Sequence, residues 1–393
     1  MRRRAVAALA AGALMAGLLP AAAAAAQPGR DGLRGDVDAI RATGATGVLA
    51  EVRTSTGGHA ARAGVADLRT GRPVPWNSYF RIGSDTKTYT SVVALQLVGE
   101  GKLRLTDTVE KWLPGVVRGK GNDGRRITVK NLLRQTSGLN DYVAVQLGDG
   151  SDLTPEKFKE NRFRVSTPQQ KVAAAMTRPP LWVPDMSNPA EETHWGYSNT
   201  NYVLAGLIIE KVTGHPWEQE VHDRIIEPLG LRHTITPGTS AYVPQPSATA
   251  YTRFPGRAEL TDTSVSVSGG SDGAIISTTR DHTAFLRALL GGRLLAPAQL
   301  AQMKQTVPVD DWILADGVRY GLGLAWRPVK GCAGGVWFHG GTFFGIISES
   351  GASADGRRAA SVAVSTFRPG DPGQDAQDRA SLRLVDRAVC GAG

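Results

Sequence analysis

Strand-like sequence stands at both ends of this 393-residue chain, with helix-like sequence between. Near the N-terminus, Gly47–Arg53 and His59–Leu68 flank a turn signal at Gly57-Gly58 and read as a hairpin. Toward the C-terminus, Val336–Phe338, Phe344–Glu349 and Ala359–Thr366 read as strands, the last alternating through Val362 and Val364. The helical stretch holds Val129–Arg134, Pro168–Met176, Tyr202–Thr213 and Asp281–Leu290. Its second member has a start signal in Thr167 and Pro168. Short helical sequence at Asp36–Arg41 and an amphipathic run over 373–389 sit near the two ends. A sheet must then be assembled from both termini, with the helical stretch inserted between its halves. The expected class is α/β in the α+β sense: an antiparallel sheet flanked by the terminal helices. Residues 27–104 and 291–393 form the sheet region, and 105–290 form the mainly helical one.

The composition is 41% hydrophobic and 21% charged, which excludes disordered, collagenous and coiled-coil chains. The net charge of +9 includes Arg2, Arg3 and Arg4. These arginines precede an apolar run, Ala5–Leu19, and small residues to Ala26, the order of an export leader. Residues 1–26 are therefore expected to be a signal peptide, and the protein to act outside the cytoplasm. An uncleaved anchor is the alternative, although Pro20 breaks the run short of a membrane span. No basic block or aromatic–basic stripe points to nucleic acid. Two cysteines, Cys332 and Cys390, suggest one disulfide in an exported chain, with two buried thiols as the alternative. The seven histidines show no metal-ligand spacing, so no metal or other cofactor is expected.

Three motifs carry the chemistry: Ser84-Asp85-Thr86-Lys87, Tyr197-Ser198-Asn199 and His339-Gly340-Gly341. Three-residue spacing on a helix puts Ser84 and Lys87 on one face, one turn apart. The helix N-terminus favours an alkoxide at Ser84 and a neutral amine at Lys87, and a neutral amine can accept a proton. Alone, the pair also reads as a capping serine and a solvated lysine. Against that, Val92–Val98 makes the helix apolar and internal, so a lysine at its start needs a reason. Tyr197 alone reads equally as a core aromatic, Asn199 as a turn residue, and His339 as a structural strand residue.

Together, these segments resemble the serine penicillin-recognising hydrolases. That group includes class C β-lactamases, D-alanyl-D-alanine carboxypeptidases, esterases and D-aminopeptidases. The likeness is greatest to secreted actinobacterial D,D-carboxypeptidases. It runs through Phe80–Lys87, Leu95–Leu103, Thr136–Leu139, Tyr197–Tyr202, Tyr320–Leu324 and His339–Thr342, nearly the whole chain after the leader. The resemblance implies a β-lactamase/transpeptidase-like fold and an acyl-enzyme on Ser84. Lys87 and Tyr197 would share the serine proton, with Lys87 and His339 lowering the tyrosine pKa. Asn199 would hold Lys87 and the substrate amide. His339 and Gly341 would line the substrate strand, and the backbone N–H groups of Ser84 and Thr342 would form the oxyanion hole. The implied partners are peptidoglycan stem peptides or other small acyl substrates, with β-lactams as covalent ligands, met by a monomer.

Three departures concern the substrate's carboxylate. Gly340 replaces a residue that usually carries a hydroxyl, and Trp326 stands where carboxypeptidase relatives keep an arginine. Arg327 is adjacent and would serve only if the strand register shifts, since a one-residue shift reverses its face. Gln135 replaces a histidine common before Thr136. Two rival readings remain. Gly269-Gly270-Ser271-Asp272-Gly273 is formally a nucleophile elbow, with Asp281 or Asp310 and then His339 downstream, but polar Thr263–Ser268 precedes it instead of a buried strand. The other is a wall-binding module that keeps the fold without turnover.

Overall fold

The computed structural model describes residues 28–187, 192, 194–309 and 312–391. The expected leader and Asp310 lie outside the described residues. Helix α1 (Pro28–Ala42) leads into strands β1 (Gly47–Thr54) and β2 (Gly57–Gly64). Three longer helices follow, α2 (Thr86–Gly99), α3 (Pro168–Ala175) and α4 (Asn199–Thr213), and then α5 (Thr279–Leu290). The chain closes through β3 (Val307–Pro308), β4 (Arg319–Tyr320), β5 (Ala325–Val329), β6 (Cys332–Phe343), β7 (Ile346–Ala352), β8 (Ala359–Val364) and α6 (Pro372–Cys390).

The sheet has eight strands in the order β2-β1-β8-β7-β6-β5-β4-β3. Its pairings are antiparallel, and β1 joins β8 across the two chain ends, Val48 opposite Val364. Strand β8 is buried on both faces. Val362 and Val364 pack with α1 and α6 residues such as Ile40 and Leu384, while Ala363 faces the opposite core. That alternation is what a central strand between two helical layers requires. The hairpin turn lies at Ser55-Thr56, two positions before the expected Gly57-Gly58, which instead opens β2.

Helix α2 has no solvent-facing polar side and is buried along nearly all its length, its polar first turns included. It packs against α4 in the larger core. Thr167 caps α3 in a reciprocal capping box with Gln170, with Pro168 in its first turn, as expected. Helix α5, read within the helical stretch, lies instead across β1, β7 and β8. The Cys332–Cys390 disulfide ties the start of β6 to the end of α6, with Cα atoms 5.5 Å apart. Among the described residues, no helix is long and apolar enough to cross a membrane.

Candidate active site

Ser84 sits in a 3-10 turn, Gly83–Asp85, that runs directly into α2. Its neighbours are buried, while Ser84 keeps part of its surface open. The turn is pressed against β6. A Cβ on Gly83 would lie 2.9 Å from the Thr342 nitrogen, and one on Gly341 would lie 2.9 Å from the Ser84 nitrogen. Two glycines thus let the strand and the turn come close enough to bring these two backbone nitrogens into one neighbourhood.

One helical turn on, the Lys87 ammonium nitrogen stands 3.0 Å from Ser84 Oγ. It also donates to Asn199 Oδ1 and to the Asp272 carbonyl, each at 2.6 Å. Lys87 is fully buried, and burial lowers its pKa to about 8, with Asp272 and Asp141 opposing. Asn199 is oriented from behind: its amide nitrogen donates to Asp141 Oδ2 at 2.9 Å, which turns its oxygen toward Lys87. Burial raises the Asp141 carboxyl pKa.

Helix α4 starts three residues earlier than expected, so Asn199 opens it and Tyr197 lies just before it. The Tyr197 side chain lies beside Ser84. Its ring centroid lies 5.0 Å from the Lys87 nitrogen. The expected lowering of its pKa is not found: burial pushes the phenol well above its ordinary value, and the Ser84 contact only partly opposes this. His339 supplies no positive field either. It is fully buried, and burial lowers its pKa to about 4. Its Nδ1 lies 2.7 Å from the Gly340 carbonyl and its Nε2 3.1 Å from the Tyr320 hydroxyl, which fits a neutral ring donating at Nδ1. His339 is thus engaged inside the protein, although the sequence reading expected it to meet substrate.

Strand β5 pairs with β6 only as far as Ala325 and Phe338. From His339 to Phe343, β6 has β7 on one side and, among the described residues, no strand on the other. This free edge runs past Ser84. Arg327 does not serve it. The register sets Arg327 opposite Val336, its guanidinium lies 4.4 Å over the Phe338 ring, and it donates to Asp386 of α6 at 2.7 and 2.9 Å. Gly340 faces Glu349 across β6 and β7, and a Cβ there would meet both carboxyl oxygens at 3.1 and 3.2 Å. Burial pushes the Glu349 carboxyl well above the ordinary range, with Arg327 pulling the other way.

Gln135 takes a bracing part. Held in a left-handed conformation, it accepts from the Ser198 nitrogen at 3.1 Å and from Asn201 at 2.6 Å. The glycine-rich segment around Ser271 is not an elbow. Ser271 is buried and donates to the Tyr202 carbonyl at 2.8 Å. His339 is occupied elsewhere, and Asp281 accepts from the His233 and Thr234 region. The loop instead delivers the Asp272 carbonyl to Lys87. Asp141 and Asp272 were absent from the sequence candidates. Asp141 carries a signal, since it caps the helix Tyr142–Leu147, but capping gives no hint that it also holds Asn199. On the surface, His222, Asp223 and Glu227 bring ligand atoms within 4.8 Å of one another, all three exposed and none among the site residues.

A serine, a buried lysine and a tyrosine between an antiparallel sheet and a helical layer define the active-site serine class of penicillin-recognising proteins. The family model for Beta-lactamase matches residues 27–386, and the chain belongs to that family. It is 30% identical over 287 residues to penicillin-binding protein 4 of Amycolatopsis lactamdurans, covering 70% of each chain. The fold is similar to a D-stereospecific amidohydrolase from Streptomyces, with a TM-score of 0.81, 37% identity and coverage of 93% of this chain and 99% of that one. It is also similar to D-amino acid amidase from Ochrobactrum anthropi SV3 complexed with L-phenylalanine amide, with a TM-score of 0.75, 25% identity and coverage of 91% and 96%. The chain is a serine hydrolase of the β-lactamase and penicillin-binding protein family.

Proposed function

We propose that this protein hydrolyses amides and esters of small D-configured acyl groups through an acyl-enzyme on Ser84, and that it does not require a free carboxylate beside the scissile bond. One observation carries the choice over a D-alanyl-D-alanine carboxypeptidase: neither position of the carboxypeptidase pattern's carboxylate anchor offers one here. Position 340 has no hydroxyl, and Arg327 is turned to Asp386 on the far side of the sheet. The preference for D-configured substrates is supported by the likeness to the D-stereospecific amidohydrolase and the D-amino acid amidase.

The substrate lies along the free edge of β6 from His339 to Phe343, extended like an added strand. Neutral Lys87 takes the Ser84 proton across their 3.0 Å contact as Oγ bonds to the carbonyl carbon. Backbone N–H groups of Ser84 and Thr342 receive the oxyanion. The C–N bond then breaks. Tyr197, kept a neutral phenol by burial, gives its proton to the departing amine and is refilled from Lys87. Water repeats the sequence against the ester and returns Ser84 to its starting state. Asn199, pinned by Asp141, holds Lys87 and meets the substrate amide. β-Lactams react as covalent mimics, slowed where their carboxylate finds no partner. The arginine-led leader supports action outside the cytoplasm.

The test compares N-acetyl-D-alanyl-D-alanine with its C-terminal amide, reading only cleavage of the D-alanyl–D-alanine bond they share, by release of N-acetyl-D-alanine. We expect the amide to be cleaved at least as fast, with both rates lost in Ser84→Ala and the L,L enantiomers poor. A free acid cleaved about tenfold faster, roughly 1.4 kcal/mol of transition-state binding, would return the protein to the carboxypeptidases.

A further inference from the structure

A second buried lysine lies behind the first. Lys171 of α3 is 6% exposed, and its ammonium donates to the Gly269 carbonyl and lies 3.7 Å from Asp272 Oδ1. Asp272 is 5% exposed; its Oδ2 accepts from the Tyr142 hydroxyl at 2.8 Å, while Oδ1 has no hydrogen bond among the described residues. The ion-pair partner of Oδ1 is the Lys171 ammonium. The same residue's carbonyl holds the Lys87 ammonium at 2.6 Å. The glycines of this loop serve the arrangement: a Cβ on Gly269 would stand 3.0 Å from the Lys171 nitrogen and 3.2 Å from Asp272 Oδ1. A buried ion pair is costly to assemble and is weak evidence of a stabilising role.

We propose that Lys171 and Asp272 are a positioning pair for the reaction. They fix the carbonyl that holds Lys87 and set, with two opposed charges, how readily Lys87 takes the Ser84 proton. The inference rests on the proposed role of Ser84 and Lys87. Other groups face Lys87 too: Asp85 from its own turn, Asp141 before the helix Tyr142–Leu147, Tyr197 and Tyr202 around α4, and His339 from β6. His339 is neutral above about pH 4 and both tyrosines stay protonated at the pH of the assay, so among these the carboxylates and Lys171 carry the field. Asp272 favours the charged form of Lys87 and Lys171 opposes it.

The pair gives its two members opposite signatures. Lys171→Met leaves Asp272 unopposed, so Lys87 holds its proton to higher pH. Asp272→Asn keeps an acceptor for Tyr142 and leaves Lys171 unopposed, so Lys87 releases its proton at lower pH. The probe is 4-nitrophenyl acetate, which has no titrating group, with kcat/KM followed from pH 5 to 10 and folding checked by circular dichroism. The expected result is an acid limb moved up by about one pH unit in Lys171→Met and down by a similar amount in Asp272→Asn. The limb should return toward its original place in the double variant. Folded variants whose limbs stay put, or move the same way, overturn the pair alone. Wild-type turnover that survives Ser84→Ala overturns the underlying assignment and the pair with it. Should Lys171→Met fail to fold, Lys171→Arg, which keeps the charge, is expected to keep the limb in place; a limb moved by more than half a unit there counts against the pair.

Discussion

Gly341 passes Ile82 so closely that a Cβ on it would stand 1.9 Å from the Ile82 carbonyl oxygen. The contact sets the distance between β6 and the Ser84 turn, and so between the two backbone N–H groups assigned to the oxyanion. Gly341→Ala is expected to lower kcat/KM by about a hundredfold and destabilise the fold by roughly 1–3 kcal/mol. Thermal unfolding and ester kinetics check both. A stable, fully active Gly341→Ala would show that the close approach is not needed.

The pH profile follows from Lys87. Its pKa of about 8 means that the base is mostly protonated at neutral pH and freed as pH rises. kcat/KM on 4-nitrophenyl acetate is expected to climb through a single acid limb near pH 8. A limb near 6.5 would instead implicate a histidine.

His339 has the opposite consequence, for stability. Its folded pKa of about 4 lies below the usual 6.5, so the unfolded chain binds the proton more readily. Stability from this group is complete above about pH 6.5 and is lost as pH falls through 4. The loss approaches roughly 3 kcal/mol. Denaturant titrations from pH 7 to 4 should show that slope, and His339→Gln should flatten it. An unchanged slope in His339→Gln would assign the loss to other groups; the buried Asp141 and Glu349 carboxyls, whose pKa burial raises, would give a slope of the opposite sign.

Gly340 shows why restoring a carboxypeptidase subsite takes more than one change. A side chain at 340 meets the Glu349 carboxyl and the Ser348 carbonyl at 3.1–3.2 Å. Gly340→Thr alone is expected to lower the melting temperature without raising the ratio of free-acid to amide cleavage. Adding Glu349→Gln should raise that ratio several-fold. A gain from Gly340→Thr by itself would mean that Glu349 yields freely.

Local chemistry was legible in the sequence; the direction of side chains within the sheet was legible only in part. Ser84 and Lys87 meet because three residues make one helical turn, and Thr167-Pro168 marks a helix start whatever surrounds it. Strands at both chain ends required a sheet joining them, and β1 beside β8 is that join. The strand rule also placed Arg327 on the face opposite Trp326. Nothing local, however, says that Asp386, 59 positions on, holds it there. Burial of His339 depends on Tyr320 and Gly340 closing over its nitrogens, which periodicity does not encode. The glycines around Ser271 were conspicuous, but their purpose, wrapping Lys171 and Asp272, needs a helix about a hundred residues upstream.

The central claim is a covalent ester on Ser84. Purified protein would be quenched in acid during turnover of 4-nitrophenyl acetate and mapped by peptide mass spectrometry. An acetyl group on the peptide carrying Ser84, gone in Ser84→Ala along with turnover, is the expected result. Turnover that persists in Ser84→Ala, or an acetyl group on Ser271, would contradict it.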